Sequence, residues 1–237
     1  MIVARGITVR AGGATLLAEL DLEIRGGEVV ALFGANGAGK STLLAVLAGD
    51  RAPDRGRVEL AGVDVRELSP RERAIRRAVL RQQSTLTAAY TAVEVVRLGR
   101  DDPAIARACL AEVELAAFAD RAYPTLSGGE QQRVQLARVL AQLHGRRDAA
   151  LFLDEPAAAL DLRQQALIET IVSAVANRGH AVVIVAHDPR LIARCADRVI
   201  VLRRGRVLAD APPAEALAVP VVARAFDVDA AWLATRS

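Results

Sequence analysis

Residues Gly34 to Thr42 read GANGAGKST, which fits G-x-x-x-x-G-K-[ST] and follows the apolar run GEVVALF. A strand leading into a glycine loop and then a helix is the setting in which this pattern binds phosphate. The backbone N–H groups of Gly34, Ala35, Asn36, Gly37, Ala38 and Gly39 would wrap the β- and γ-phosphates of a nucleotide. Lys40 would bridge those phosphates and Ser41 would offer its hydroxyl to Mg²⁺, with Thr42 next along the opening turn of the helix. Lys40 is the only lysine among 31 Lys and Arg residues. An ammonium is a compact point charge, whereas guanidinium is a wide flat fork that a tight ring of amides excludes.

Two further stretches carry chemistry. ALFLDEP puts Asp154 and Glu155 at the end of an apolar strand, where open α/β sheets bind ligands. Alone, such a pair would read as two solvated loop acids. Beside a phosphate loop, Asp154 is suited to the Mg²⁺ shell and Glu155 to orienting and polarising an attacking water. In LSGGEQQR, Ser127 and Glu130 have the spacing of a capping box, which by itself describes a well-capped surface helix. Gly128 and Gly129, however, weaken that first turn by roughly 1 kcal/mol each. The cost makes sense where a phosphate must approach exposed N–H groups at a helix start. Two phosphate sites in one chain imply that each serves a different nucleotide.

The surrounding elements must hold these groups. ITVR and TLLAELDLEI flank Gly12-Gly13 as a hairpin, GRVELAG is a strand, and PRERAIRR is a short helix opened by Pro70 and followed by the strand AVLRQ. From about residue 91 to 145 helical patterns take over: TAVEVVRLGR, DPAIARACLAEVEL and GGEQQRVQLARVLAQL, the last with Leu136, Leu140 and Leu143 on one face. Afterwards ALFLDEP, a helix from Asp161 to Asn177, HAVVIVAHD, LIARCAD and the hairpin RVIVLRRGRVL alternate again. This order predicts an α/β fold with a mainly parallel sheet and an all-helical insert.

Composition narrows the class. The chain has 237 residues, is 52% hydrophobic and carries a net charge of +3, as a packed globular protein does. A pI near 9.4 reflects arginine usage rather than a basic patch, so nucleic acid is not an expected partner. MIVARGITVR lacks the apolar stretch of a signal peptide, and no run approaches the ~18 apolar residues of a spanning helix. Cys109 and Cys195 read as reduced core residues.

GANGAGKST, LSGGEQQR, ALFLDEP, ALDL and VAHD, in this order, resemble the nucleotide-binding subunit of an ABC transporter over essentially the whole chain. The resemblance implies a P-loop NTPase (RecA-like) fold with a mainly parallel core, an N-terminal antiparallel β-subdomain and an inserted helical subdomain. It makes 1–237 one nucleotide-binding domain, with 1–90 and 146–237 as the core and 91–145 as the helical part. It implies ATP hydrolysis with Mg²⁺, in a homodimer whose ATP lies between GANGAGKST of one copy and Ser127, Gly128, Gly129 and Glu130 of the other. Gln82, with Gln83 adjacent, matches the glutamine that senses the γ-phosphate and Mg²⁺, making Ser41, Gln82 and Asp154 the metal residues. Glu155, Gln82 and His187 take the catalytic roles, and Asp161 matches the loop that contacts the opposite site. For His187 alone a satisfied buried histidine would be the plainer reading, and the resemblance reverses it. His144 and His180 keep the plain one.

TAVEVVRLGR resembles the importers of iron chelates, haem and cobalamin, and RRAVLRQ with GGEQQRVQLARVLAQL is most similar to the haem-import ATPases. Ferric-siderophore and cobalamin import stay open as alternatives. The implied partners are two copies of a transmembrane permease and, through it, a periplasmic haem-binding protein, with this chain peripheral at the cytoplasmic face of the bacterial inner membrane. A non-transport ABC ATPase acting on DNA or ribosomes fits poorly: there are two cysteines, one nucleotide domain and no long coiled coil. Ala11 stands where many relatives carry an adenine-stacking aromatic, Ala157 to Ala159 replace hydroxyl residues, and LGRDDPAIARAC is shorter than in haem-import relatives.

Overall fold

The computed structural model describes residues 1–82, 90–157 and 161–234; Gln83, Ala158 and Ala159 lie outside them. Strands β1 (Ile2–Ala11) and β2 (Ala14–Ile24) form the expected hairpin, and β4 (Arg55–Leu60) and the short β5 (Val63–Asp64) complete an antiparallel sheet in the order β2-β1-β4-β5. The main sheet contains β3 (Val29–Phe33), β6 (Arg77–Leu80), β7 (Ala150–Asp154), β8 (Ala181–Val185), β9 (Arg198–Arg203) and β10 (Arg206–Ala211), in the order β10-β9-β3-β8-β7-β6. All its pairings are parallel except β10 with β9.

The continuous apolar runs are explained by burial on both faces. Because side chains alternate along a strand, Val29, Ala31 and Phe33 enter one hydrophobic core while Val30 and Leu32 enter another. The first core joins the sheet to the helical insert; the second joins it to the β-subdomain and α1 (Lys40–Leu47). Helix α2 (Pro70–Arg76) starts at a Ser69 capping box with Pro70 in its first turn. The insert holds α3 (Ala92–Arg97), α4 (Pro103–Glu112) and α5 (Gly128–Leu143), and Leu136, Leu140 and Leu143 are all buried as their spacing requires. Thr91, Asp102 and Ser127 cap these three helices with their side chains. Helices α6 (Leu162–Asn177) and α7 (Pro189–Cys195) are capped by Asp161 and Asp188. After β10 come α8 (Pro213–Ala216), α9 (Val219–Phe226) and α10 (Ala230–Ala234), with the Phe226 ring 5.3 Å from that of Phe33.

Cys109 and Cys195 are buried and unpaired, and burial pushes each thiol up to about 11. His144 departs from the packed histidine expected: it is exposed and ends α5. His180 is buried, with its Nδ1 lacking a hydrogen-bond partner, and burial lowers its pKa from the ordinary 6.5. The fold therefore favours neutral His180, and the unfolded chain binds the proton more readily. That contribution to stability is present above about pH 6.5 and is lost as the pH falls below it. The urea midpoint should drop between pH 7.5 and 5.5, and His180→Leu should flatten that slope.

Candidate functional site

Strands β3, β6, β7 and β8 are parallel, so their carboxyl ends share one edge of the sheet. The glycine loop leaves β3, Gln82 follows β6, Asp154 and Glu155 close β7, and His187 follows β8. All but Asp154 line a cavity of about 680 Å³, formed by Asn36, Gly37, Gly39, Lys40, Ser41, Thr42, Gln82, Glu155 and His187; Asp154 meets the Ser41 hydroxyl instead. Leu16 lines it too, and sequence reasoning missed it; its only signal was its place on the strand after the Gly12-Gly13 turn. The side chains of Ala35 and Ala38 and the Cα of Gly34 do not line it, Ala38 being a core residue.

Two of the loop glycines are dictated by the backbone. Gly34 has φ +142°, and a Cβ there would meet the Leu202 carbonyl oxygen at 2.2 Å. Gly39 has φ +106°, and its Cβ would meet the Leu16 oxygen at 2.9 Å. The loop is thus pressed between β2 and β9, which fixes its amides before any ligand arrives. Lys40 is 6% exposed, and its ammonium donates to the carbonyl oxygens of Gly34 at 2.7 Å and Ala35 at 3.0 Å. Burial lowers its pKa, against the raising fields of Glu155 and Asp154.

Asp154 shows the same burial with the opposite sign. Its carboxyl is pushed up by desolvation, and the Ser41 hydroxyl, donating to it at 3.3 Å, pulls it down. A hydroxyl and a desolvated carboxylate side by side are hard oxygen donors, the type that Mg²⁺ takes together with substrate phosphates and water. These residues fit a Mg²⁺ ion. The Glu155 carboxylate accepts from Gln82 Nε2 at 2.9 Å on one oxygen and lies 2.7 Å from His187 Nε2 on the other. His187 is exposed rather than buried, so it lines the cavity and is not a core histidine. The three residues from three strand ends form one hydrogen-bonded unit facing the phosphate loop.

Ser127, Gly128, Gly129 and Glu130 do not line that cavity. Glu130 accepts from the Ser127 N–H at 2.7 Å and from the Ser127 hydroxyl at 2.7 Å, which keeps its pKa low. A Cβ on Gly128 would meet nothing within 4 Å, so nothing in this chain requires glycine there. Gly128→Ala should therefore raise the stability of the isolated chain, by up to about 1 kcal/mol. If the space belongs to a nucleotide, the same change should cut ATP turnover; urea melts and turnover of one preparation read both. Asp161 caps α6 by accepting from the Gln164 N–H at 2.8 Å. Among the described residues no helix is long and apolar enough to cross a membrane.

A family profile described as ABC transporter matches residues 17–158. The chain is 44% identical to the hemin import ATP-binding protein HmuV of Rhodopseudomonas palustris (strain BisA53), over 96% of this chain and 88% of that protein. It is 46% identical to the HmuV of Streptomyces coelicolor (strain ATCC BAA-471 / A3(2) / M145), over 96% and 83%. Among solved structures it is similar to the dimeric, post-hydrolysis ATP-binding cassette MJ0796 bound to ADP and Pi. That match has a TM-score of 0.79 and 28% identity, and covers 90% of this chain and 99% of the other.

Proposed function

Since this chain belongs to the ABC transporter family, we propose that it is the ATP-hydrolysing subunit driving hemin import. The cargo reading is carried by the identity to hemin import ATPases over nearly the full length. The hydrolysis reading is carried by one observation: Gln82, Glu155 and His187 meet in a hydrogen-bonded unit at the mouth of the phosphate loop.

ATP places its β- and γ-phosphates on the amides of residues 34–42, and Lys40 turns its ammonium from its own loop's carbonyls to the phosphates. Ser41, Asp154 and Gln82 would hold Mg²⁺, which would supply neutralisation of the charge on the β- and γ-phosphates. Glu155 accepts a hydrogen bond from the attacking water and polarises it, while His187 and Gln82 fix the carboxylate's direction. Water's oxygen bonds to the γ-phosphorus, the bond to the β-phosphate oxygen breaks, and ADP and phosphate are the products. In a homodimer, Ser127, Gly128, Gly129 and Glu130 complete the partner's site, and Asp161 reaches across the same seam.

In the homodimer the helical parts, residues 91–145 of each copy, dock on two copies of a membrane permease at the cytoplasmic face of the inner membrane, and a periplasmic hemin-binding protein delivers cargo to that permease. The test is ATPase activity of the chain reconstituted with its permease in lipid vesicles. Loaded binding protein should stimulate turnover with hemin and not with a ferric siderophore or cobalamin. Stimulation by another chelate alone would overturn the cargo and leave the hydrolytic reading standing.

A further inference from the structure

Glu155 is held by more than its side chain. Its backbone lies in the left-handed region at φ +51°, a conformation that favours glycine. Such a residue persists only where its surroundings over-determine it. Its N–H donates to the Val185 carbonyl at 3.0 Å, which ties it to β8. On the other side, Gln132 of α5 donates its Nε2 to the carbonyl oxygens of Pro156 at 2.7 Å and Glu155 at 3.3 Å. Gln132 lies on the helix that Ser127 and Glu130 begin, and it touches neither carboxylate oxygen. The neighbouring Gln131 ties the same helix start to its own approach, donating to the carbonyls of Tyr123 and Leu126 at 3.3 and 3.0 Å. The two adjacent amides therefore grip opposite things: one the loop that leads into LSGGE, the other the peptide of Glu155.

We propose that Gln132 is a positioning residue for hydrolysis, holding the Glu155–Pro156 peptide against α5 so that the carboxylate is aimed only while that helix is docked. The inference rests on the reading of Glu155 as the group that polarises water, and deepens it. In the proposed homodimer, α5 begins at the partner's ATP. The tie then makes each chain's Glu155 sensitive to the nucleotide held by the other copy.

Gln132→Met keeps length and removes the donors, whereas Gln132→Lys restores a donor on a side chain one bond longer, which can bend back to the same carbonyls. Both are measured as the full chain reconstituted with its permease, with Glu155→Gln alongside. The expected result for Gln132→Met is a kcat lower by about tenfold, the effect of roughly one hydrogen bond's worth of misaimed carboxylate. Its KM for ATP should stay within about twofold, because the phosphate loop is untouched. Gln132→Lys should recover most of the lost kcat, which a generic packing role would not do. If Gln132→Met fails to fold, Gln132→Lys decides: near wild-type kcat supports the donor role, and a slow enzyme overturns it. Normal kcat in Gln132→Met, or equal losses in both variants, overturns the inference while an inactive Glu155→Gln leaves the hydrolytic reading intact. Normal turnover in Glu155→Gln overturns both.

Discussion

Replacing Glu155 by Gln lowers kcat by about 10²–10⁴-fold and leaves ATP binding intact. The amide preserves the shape of the side chain, so the Gln82 and His187 contacts at 2.9 and 2.7 Å can be partly kept. It removes the negative charge that polarises water. Because the phosphate loop is formed by other strand ends, the affinity for ATP has no reason to fall. With binding intact and hydrolysis stopped, the proposed homodimer accumulates, which size-exclusion chromatography in ATP and Mg²⁺ would detect. Single-turnover kinetics separates the two effects. A variant that hydrolyses at the normal rate would remove Glu155 from its assigned role.

The second large effect is expected from Lys40→Arg, a change that keeps the charge. The Lys40 ammonium is almost fully buried and reaches the Gly34 carbonyl at 2.7 Å, inside a loop whose backbone is pinned by β2 and β9. A guanidinium spreads its donors over a plane too wide for that loop. We expect turnover to fall by about 10²–10³-fold, the scale of losing one aimed donor to a developing negative charge. ATP affinity should fall as well, since the ground-state phosphates lose the same contact. Calorimetric titration of ATP checks the affinity and steady-state turnover the rate. Equal activity would show that charge alone suffices and leave the solitary lysine unexplained.

Much of this site was legible because its parts lie in short, strongly patterned stretches. GANGAGKST and ALFLDEP each join an apolar strand to a loop of fixed chemistry, and the parallel sheet brings their ends together. The Ser127–Glu130 capping box could be read for the same reason, since it is local. Leu16 could not be read, because its place beside the phosphate loop is set by how the β-subdomain folds over β3 and leaves no periodic mark. The hold of Gln132 on Glu155 was equally hidden. It joins residues 23 and 24 positions apart across two subdomains and ends on backbone carbonyls, which have no residue type. His144 and His180 show the limit for single residues: one lies at the surface and the other in the core, although both adjoin a glycine.

The division of β3 between two cores bears on how such a chain can change over evolutionary time. Its odd side chains, Val29, Ala31 and Phe33, face the core shared with the helical insert, and its even ones, Val30 and Leu32, face the β-subdomain. Substitutions that remodel the first core need not disturb the second, from which the phosphate loop is braced. The sheet acts as a party wall. One side of it can be redecorated while the phosphate loop, braced from the other by Leu16 and Leu202, keeps its geometry.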